Sequence, residues 1–338
     1  MTAIGRMAAI FGCEGTVLTA SEKRFFREAD PFGFILFARN IDNPDQLCRL
    51  TAEMREVVGR NAPILIDQEG GRVQRMRGPY WREWSPPLEA AAKAGADAAH
   101  VLALRARLIA EELRAVGIDA NCAPVADIAG PETHPFLRNR CYGETVAQVC
   151  ERARAVAEAH LAAGVLPVVK HLPGHGRATA DSHQNLPTVT ASRDALAAQD
   201  FAPFKALADL PMAMTAHIVF TAYDADHPAT QSPEMIGVIR RDIGFQGLLM
   251  TDDLNMQALS GDLGQRTRAA MAAGCDIALH CKGDMAEMQA VAAEAGNMRA
   301  DTLARAQAAL ARRKPADPVD IAALAADLAV LGQGALNG

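Results

Sequence analysis

Cysteine is scarce in this 338-residue chain and forms no pattern. The seven cysteines (Cys13, Cys48, Cys122, Cys141, Cys150, Cys275 and Cys281) are odd in number and scattered, without a C-x-x-C pair. That excludes a zinc ribbon and a dithiol redox motif, and fits reduced thiols used as small apolar residues. There is no lysine- or arginine-rich run, and the formal charge is −6, so no nucleic-acid partner is expected. No stretch of about 18 apolar residues is present, so no membrane span is expected. Ile10-Phe11-Gly12-Cys13 resembles a lipoprotein cleavage box. A secretory signal needs a charged start and about 7–15 apolar residues, however, and too few precede this box. The segment reads as a first strand, and a cytoplasmic location is expected. Gly12-Cys13-Glu14-Gly15 does not fit the G-x-G-x-x-G dinucleotide fingerprint either.

What is present is ordinary for an enzyme: 50% apolar and 22% charged residues. Eight short β-prone runs recur, each followed by a helical pattern. They are Met7–Phe11, Gly33–Phe37, Pro63–Ile66, Ile118–Ala123, Val165–Val169, Pro211–Thr215, Gly247–Met250 and Asp276–His280. The helical segments are Pro44–Val58, Gly95–Val116, Thr145–Ala163, Ser192–Ala208, Ser232–Asp242, Gly264–Ala273 and Met285–Arg312. In the second, Arg105, Arg107, Glu111 and Glu112 have surface spacing. Gly117, Gly164 and Gly274 stand where left-handed helix caps belong. Eight alternations without a Pro/Gly-rich linker predict an α/β fold, a single (β/α)8 TIM-type barrel, over a doubly wound open sheet. One catalytic domain over 1–338 is expected, with a short helical tail from about 315 to 338.

Polar residues cluster at the carboxyl ends of these runs, where a barrel would bring them to one rim. Asp67 follows strand three, Asn121 and Asp127 accompany strand four, and Lys170 and His171 follow strand five. His217 follows strand six and Asp252 strand seven. Lys170-His171-Leu172-Pro173-Gly174-His175-Gly176, then Asp181-Ser182-His183, makes a poor structural connector. Asp181 and His183 suit a carboxylate–imidazole pair, although the residues alone leave metal ligation open. Of the consecutive Asp252 and Asp253, one can face the barrel mouth while the other caps a helix or pairs with a neighbour. Asp67-Gln68-Glu69-Gly70-Gly71-Arg72-Val73-Gln74-Arg75 and Arg138-Asn139-Arg140 supply carboxylates and guanidiniums suited to vicinal hydroxyls.

Together with Ala123-Pro124-Val125-Ala126-Asp127, these segments resemble glycoside hydrolase family three, in its bacterial β-N-acetylglucosaminidase branch. They stand in family order over residues 5–310 or so. The resemblance implies a retaining mechanism through a covalent glycosyl-enzyme, with Asp252 as nucleophile and His183, partnered by Asp181, as acid/base. It implies that Asp67, Arg75, Arg140, Lys170 and His171 hold a non-reducing N-acetylglucosamine. The expected substrate is a muropeptide, N-acetylglucosamine linked to 1,6-anhydro-N-acetylmuramic acid, acted on in peptidoglycan recycling. Neither metal nor cofactor is implied, and a monomer is expected. Cys122 departs from the aromatic common at its position, and Cys141 from a small polar residue. A β-glucosidase or β-xylosidase, a metal-dependent barrel hydrolase and a non-catalytic muropeptide sensor are the competing readings. Activity should therefore survive overnight EDTA treatment; loss on chelation with recovery on adding a divalent ion would favour the metallohydrolase.

Overall fold

In a computed structural model, which describes residues 4–179 and 186–333, each of the eight apolar runs forms a strand. They are β1 (Met7–Phe11), β2 (Pro31–Leu36), β3 (Ile64–Ile66), β4 (Ala120–Asn121), β5 (Leu166–Leu172), β6 (Met212–Thr215), β7 (Leu248–Met250) and β8 (Ala278–His280). All neighbours are parallel, in the order β7-β6-β5-β4-β3-β2-β1-β8. A parallel bridge between Met250 and Ile277 joins the two ends. The sheet closes on itself, which makes it a (β/α)8 barrel and removes the open-sheet alternative.

The period of two along each strand explains the closure. Ala8 and Ile10 of β1, Leu65 of β3, Val168 of β5, Met214 of β6 and Leu279 of β8 join one interior cluster. Their neighbours Ala9, Phe11, Ile64, Ile66, Val169 and Ala278 pack outward against the helices. Strands buried on both faces read as continuous apolar runs, which is why these were visible in the sequence. Each fully buried Leu or Ile contributes about 1.5–3 kcal/mol.

Helix ends follow local chemistry. Helix Pro44–Val58 starts on Asn43, whose side chain accepts from the Gln46 N–H, and stops at Gly59 with φ 63°. Gly117 has φ 78°, and a Cβ there would lie 2.6 Å from Thr51 Oγ1, so both backbone and space require glycine. Four expectations need correction. The segment Met285–Arg312 is two helices, Met285–Ala295 and Ala300–Ala311, broken at Gly296 with φ 63°. The break lets the second helix turn into the barrel, where Ala306, Ala309 and Leu310 join the interior cluster. Ser192–Ala208 divides into Arg193–Ala195, a π turn at Leu196–Asp200 and Ala202–Ala206. Helices Ala20–Ala29 and Pro87–Ala94 were not anticipated, although Thr19 and Glu22 form a capping box for the first. Arg105 and Arg107 are not surface residues: they are 4% and 9% exposed in helix Ala98–Ala115. Beyond Pro315, helix Ile321–Gln333 packs on Pro87–Ala94 and Ala98–Ala115. No helix among the described residues is long and apolar enough to cross a membrane.

The amino ends of the strands are pinned by two aspartates, Asp119, which is partly buried, and Asp276, which is fully buried. Before β4, Asp119 pairs with Arg55 and Arg313 and accepts from the Ile64 N–H. Before β8, Asp276 accepts from Arg240 (2.6 Å), Arg305 (2.8 Å), Thr302 Oγ1 (2.9 Å) and the Leu249 N–H (3.0 Å). Removing one side of such a buried pair costs about 3–5 kcal/mol. Asp276→Ala should therefore lower stability by that order in urea unfolding while KM of the folded enzyme stays within about threefold, as expected for the face of a barrel that serves stability. Unchanged unfolding, or a shifted KM, would contradict this division.

Candidate active site

At the carboxyl end of the barrel the first loop to matter follows β3. Asp67 leads into a hairpin, Gln68–Gly70 against Val73–Gln74. Gly70 turns it with φ 104°, and a Cβ there would collide with Arg105 Nη2 at 1.7 Å. That guanidinium donates to the Glu69 carbonyl at 2.8 Å, so the buried Arg105 serves as a brace beneath the loop. The Gln68 carboxamide oxygen accepts from the N–H groups of Arg75 (2.9 Å) and Met76 (3.0 Å), which returns the chain to the rim. Arg75 Nη2 then reaches Asp67 Oδ2 at 3.0 Å.

Lys170 and His171 lie within β5, which runs through Leu172 and so extends farther than expected. The Lys170 ammonium is buried between Asp67 Oδ1 (2.8 Å) and Glu69 Oε1 (2.6 Å). Arg140 closes the group with a two-point grip on Glu69, Nε to Oε2 and Nη2 to Oε1, both 2.8 Å. Burial opposes every one of these charges, yet the pairing overrides it. Lys170 and Arg75 hold Asp67 below the usual carboxylate range, and Arg140 and Lys170 do the same for Glu69. Reciprocally, Asp67 and Glu69 hold Lys170 above the usual lysine value.

A second carboxylate orients the histidines. Asp127 Oδ2 accepts from His171 Nδ1 at 2.7 Å, and Oδ1 accepts from the His175 N–H at 2.6 Å. Burial works to raise Asp127, but His171 brings it below its ordinary value. With Nδ1 donating, the other ring nitrogen of His171 faces Arg140 Nη2 at 3.4 Å. Burial, then the nearby His171, pushes His175 down to about 4, so this ring is neutral at pH 7.

Asp252 follows β7, and its Oδ1 accepts from the Asp253 N–H at 2.8 Å. Asp253 turns away: its Oδ1 accepts from the Asn255 (3.1 Å) and Cys281 (3.2 Å) N–H groups. Burial pushes the Asp253 carboxyl up to about 6. Of the two aspartates, Asp252 faces the barrel mouth and Asp253 ties down the loop, the division anticipated for the pair.

These groups surround a cavity of about 240 Å³. Asp67, Arg75, Arg140, Lys170, His171 and Asp252, all expected at the site, line it together; Ile35, Met214 and Leu279 form its apolar floor. Arg72 stands at the rim with its guanidinium over the Phe136 ring and a 2.8 Å hydrogen bond to the Phe136 carbonyl. Asp181 and His183 lie outside the described residues. Sequence reading assigned no role to Glu69, Asp127 or Arg105. The first two stood in the quoted segments, but Glu69 meets Arg140 across 71 positions and nothing local signals that pairing. Among the described residues, no three His, Cys, Asp or Glu side chains form a metal-holding group.

The charge cluster sets a pH test. Glu69 is ionised in the fold below its ordinary value of 4.5, so its stabilisation is complete above that value and declines as pH falls through the lowered one. Glu69→Gln should lose about 3–5 kcal/mol of stability at pH 7, with the gap to wild type narrowing below pH ~4.5. Urea titrations at pH 7 and pH 3.5 measure it, and an equal gap at both would show that charge is not the origin.

The comparisons with known proteins agree with this geometry. Residues 20–312 match the family model described as Glycosyl hydrolase family 3 N terminal domain. A beta-hexosaminidase from Alkalilimnicola ehrlichii is 40% identical over 282 residues, which is 80% of each chain. The crystal structure of native NagZ from Neisseria gonorrhoeae superposes with a TM-score of 0.83 at 29% identity, covering 100% of both chains. NagZ from Neisseria gonorrhoeae in complex with N-trifluoroacetyl-D-glucosamine gives 0.84 at 28% identity, with 100% of both chains covered. On the extent of these matches, the chain belongs to glycosyl hydrolase family 3.

Proposed function

We propose that this chain is an exo-acting, retaining β-N-acetylglucosaminidase. Its substrate is N-acetylglucosamine β-linked to 1,6-anhydro-N-acetylmuramic acid, with or without stem peptide, and its role is cytoplasmic peptidoglycan recycling. Glycoside hydrolysis of the β-N-acetylhexosaminidase kind is what its relatives are named for. The carrying observation is the cavity. At about 240 Å³ it falls below the roughly 300–1,000 Å³ of sites for larger ligands, and so suits one sugar ring. Charged donors and acceptors line its wall, apolar side chains form its floor, and a carboxylate stands at one side. That favours removal of one terminal sugar over cleavage within a chain. The N-trifluoroacetyl-D-glucosamine held by neisserial NagZ is a sugar of this type. The whole site is proposed to belong to one barrel domain working as a monomer, without a metal or cofactor.

In the proposed reaction, Lys170, Arg75 and Arg140 donate to ring hydroxyls while Asp67 accepts from them. His171, oriented by Asp127, adds a further polar contact. Asp252 attacks the anomeric carbon, and its new C–O bond forms as the glycosidic C–O bond breaks. His183 in its imidazolium form gives its proton to the departing oxygen. The neutral imidazole then takes a proton from water, which attacks the same carbon and releases Asp252. Asp181 orients the ring throughout. Neutral imidazole in this role places no second negative charge beside the nucleophile, an electrostatic advantage over a paired carboxylate.

An aryl N-acetyl-β-glucosaminide should be hydrolysed and the matching β-glucoside and β-xyloside left intact. Asp252→Ala should abolish turnover. His183→Ala should lose about 10²–10⁴-fold on the natural disaccharide, whose leaving group needs protonation. On the aryl substrate it should give a burst followed by slow turnover, because forming the glycosyl-enzyme needs little acid help there and hydrolysing it needs the base. Equal losses on both substrates would deny His183 the acid/base role, and preferential hydrolysis of the glucoside would overturn the sugar assignment.

A further inference from the structure

Residue 253 is held at three points besides its peptide links. Its N–H donates to Asp252 Oδ1 (2.8 Å), and its carboxylate takes the N–H groups of Asn255 and Cys281. Its carbonyl takes the Met256 N–H at 3.1 Å within its own loop and, from another strand, lies 3.1 Å from Nε2 of His217, a ring fully buried just beyond β6. The other ring nitrogen, Nδ1, is 2.7 Å from Thr230 Oγ1, which is itself 2.8 Å from Thr215 Oγ1 and 3.1 Å from the Ala216 carbonyl.

The partners fix the tautomer. A carbonyl can only accept, so Nε2 carries a proton and donates to Asp253. Burial lowers the pKa of His217 against the pull of Asp252, and this favours the neutral ring. Nδ1 then offers its lone pair to the single Thr230 hydroxyl hydrogen, which the Ala216 carbonyl shares at longer range, and Thr215 in turn donates to Thr230. Both ring nitrogens thus have partners, and a chain of bonds runs from β6 to the backbone carbonyl of Asp253. His217 does not line the cavity.

We propose that His217 is a positioning residue for the nucleophile: by gripping the Asp253 carbonyl it anchors the backbone of residue 253, whose own N–H, one peptide earlier, holds the Asp252 carboxylate. The inference rests on Asp252 being the nucleophile. A carboxylate after a strand end has two soft side-chain torsions, and attack at the anomeric carbon tolerates little error. A misplacement of about 1 Å costs roughly 10²-fold in rate. The Asp253 N–H limits that freedom by holding Oδ1, and the bond from β6 helps keep the residue that carries it in place without touching the sugar.

The test uses the full chain, an aryl N-acetyl-β-glucosaminide as substrate and N-acetylglucosamine as the binding probe. His217→Ala should lower kcat about 10²-fold and leave the Kd for N-acetylglucosamine within about threefold. His217→Gln, whose amide can donate to the Asp253 carbonyl and accept from Thr230, should recover at least about tenfold of that loss. Thr230→Val, which keeps the ring but removes its lock, should fall between wild type and His217→Ala. Asp252→Ala is measured alongside, since retained turnover there would remove the nucleophile assignment itself. With Asp252→Ala inactive, the positioning role is overturned by any of three outcomes. These are an unchanged kcat in His217→Ala, an equal loss in His217→Gln, or sugar binding that weakens in step with kcat.

Discussion

The arrangement depends on one buried ammonium. Lys170 rises from β5 into the mouth of the barrel and bonds to both Asp67 and Glu69, which descend from the loop after β3. Taking an ion out of water costs several kcal/mol, and the cost is offset only where geometry is good and remaining lone pairs are occupied. Here they are. Arg75 takes the second oxygen of Asp67, and Arg140 takes both oxygens of Glu69. The result is a polar wall laid directly over an apolar floor of Ile35, Met214 and Leu279. A sugar ring has matching needs, with hydroxyls around its edge and C–H groups on its faces. Because the wall is already paired, its donors and acceptors are oriented before substrate arrives.

The two ends of the barrel use charge differently. At the amino end, Asp119 and Asp276 are saturated by arginines, hydroxyl and backbone donors from strands and helices, and they join strands to shell. Helix Ala300–Ala311 fills that end with Ala306 and Leu310. At the carboxyl end, charged groups face a cavity. The same chemistry, buried ion pairs, therefore closes one end of the barrel and furnishes the other. Residue 253 belongs to the second system but faces away from the cavity, and desolvation pushes its carboxyl up to about 6. It governs its neighbour's position and leaves the chemistry to Asp252.

Much of this was legible in the residue order. Strands buried on both faces leave continuous apolar runs, so all eight were found, and rim residues followed because carboxyl ends of barrel strands converge. Less visible was anything set by distant partners. Arg105 has the spacing of a surface arginine, yet it is buried because the backbone of Glu69, 36 positions earlier, needs a donor. Glu69 itself reads as one carboxylate among several until Arg140 is brought to it. The helix over Met285–Arg312 was read too long because a lone Gly296 interrupts an otherwise helical pattern, and only packing into the barrel decides where it bends. Asp181 and His183 are a different matter, since their roles rest on family resemblance.

Trapping the enzyme in mid-reaction tests the central claim most directly. A 5-fluoroglycosyl fluoride of N-acetylglucosamine should link one sugar to the protein as a glycosyl ester, because the ring fluorine slows both formation and hydrolysis of the intermediate while the good fluoride leaving group restores the rate of formation alone. Peptide mass mapping after a brief reaction should place a single adduct on Asp252. An adduct on Asp253 or Asp67, or full turnover of the reagent with no adduct at any time, would contradict the account.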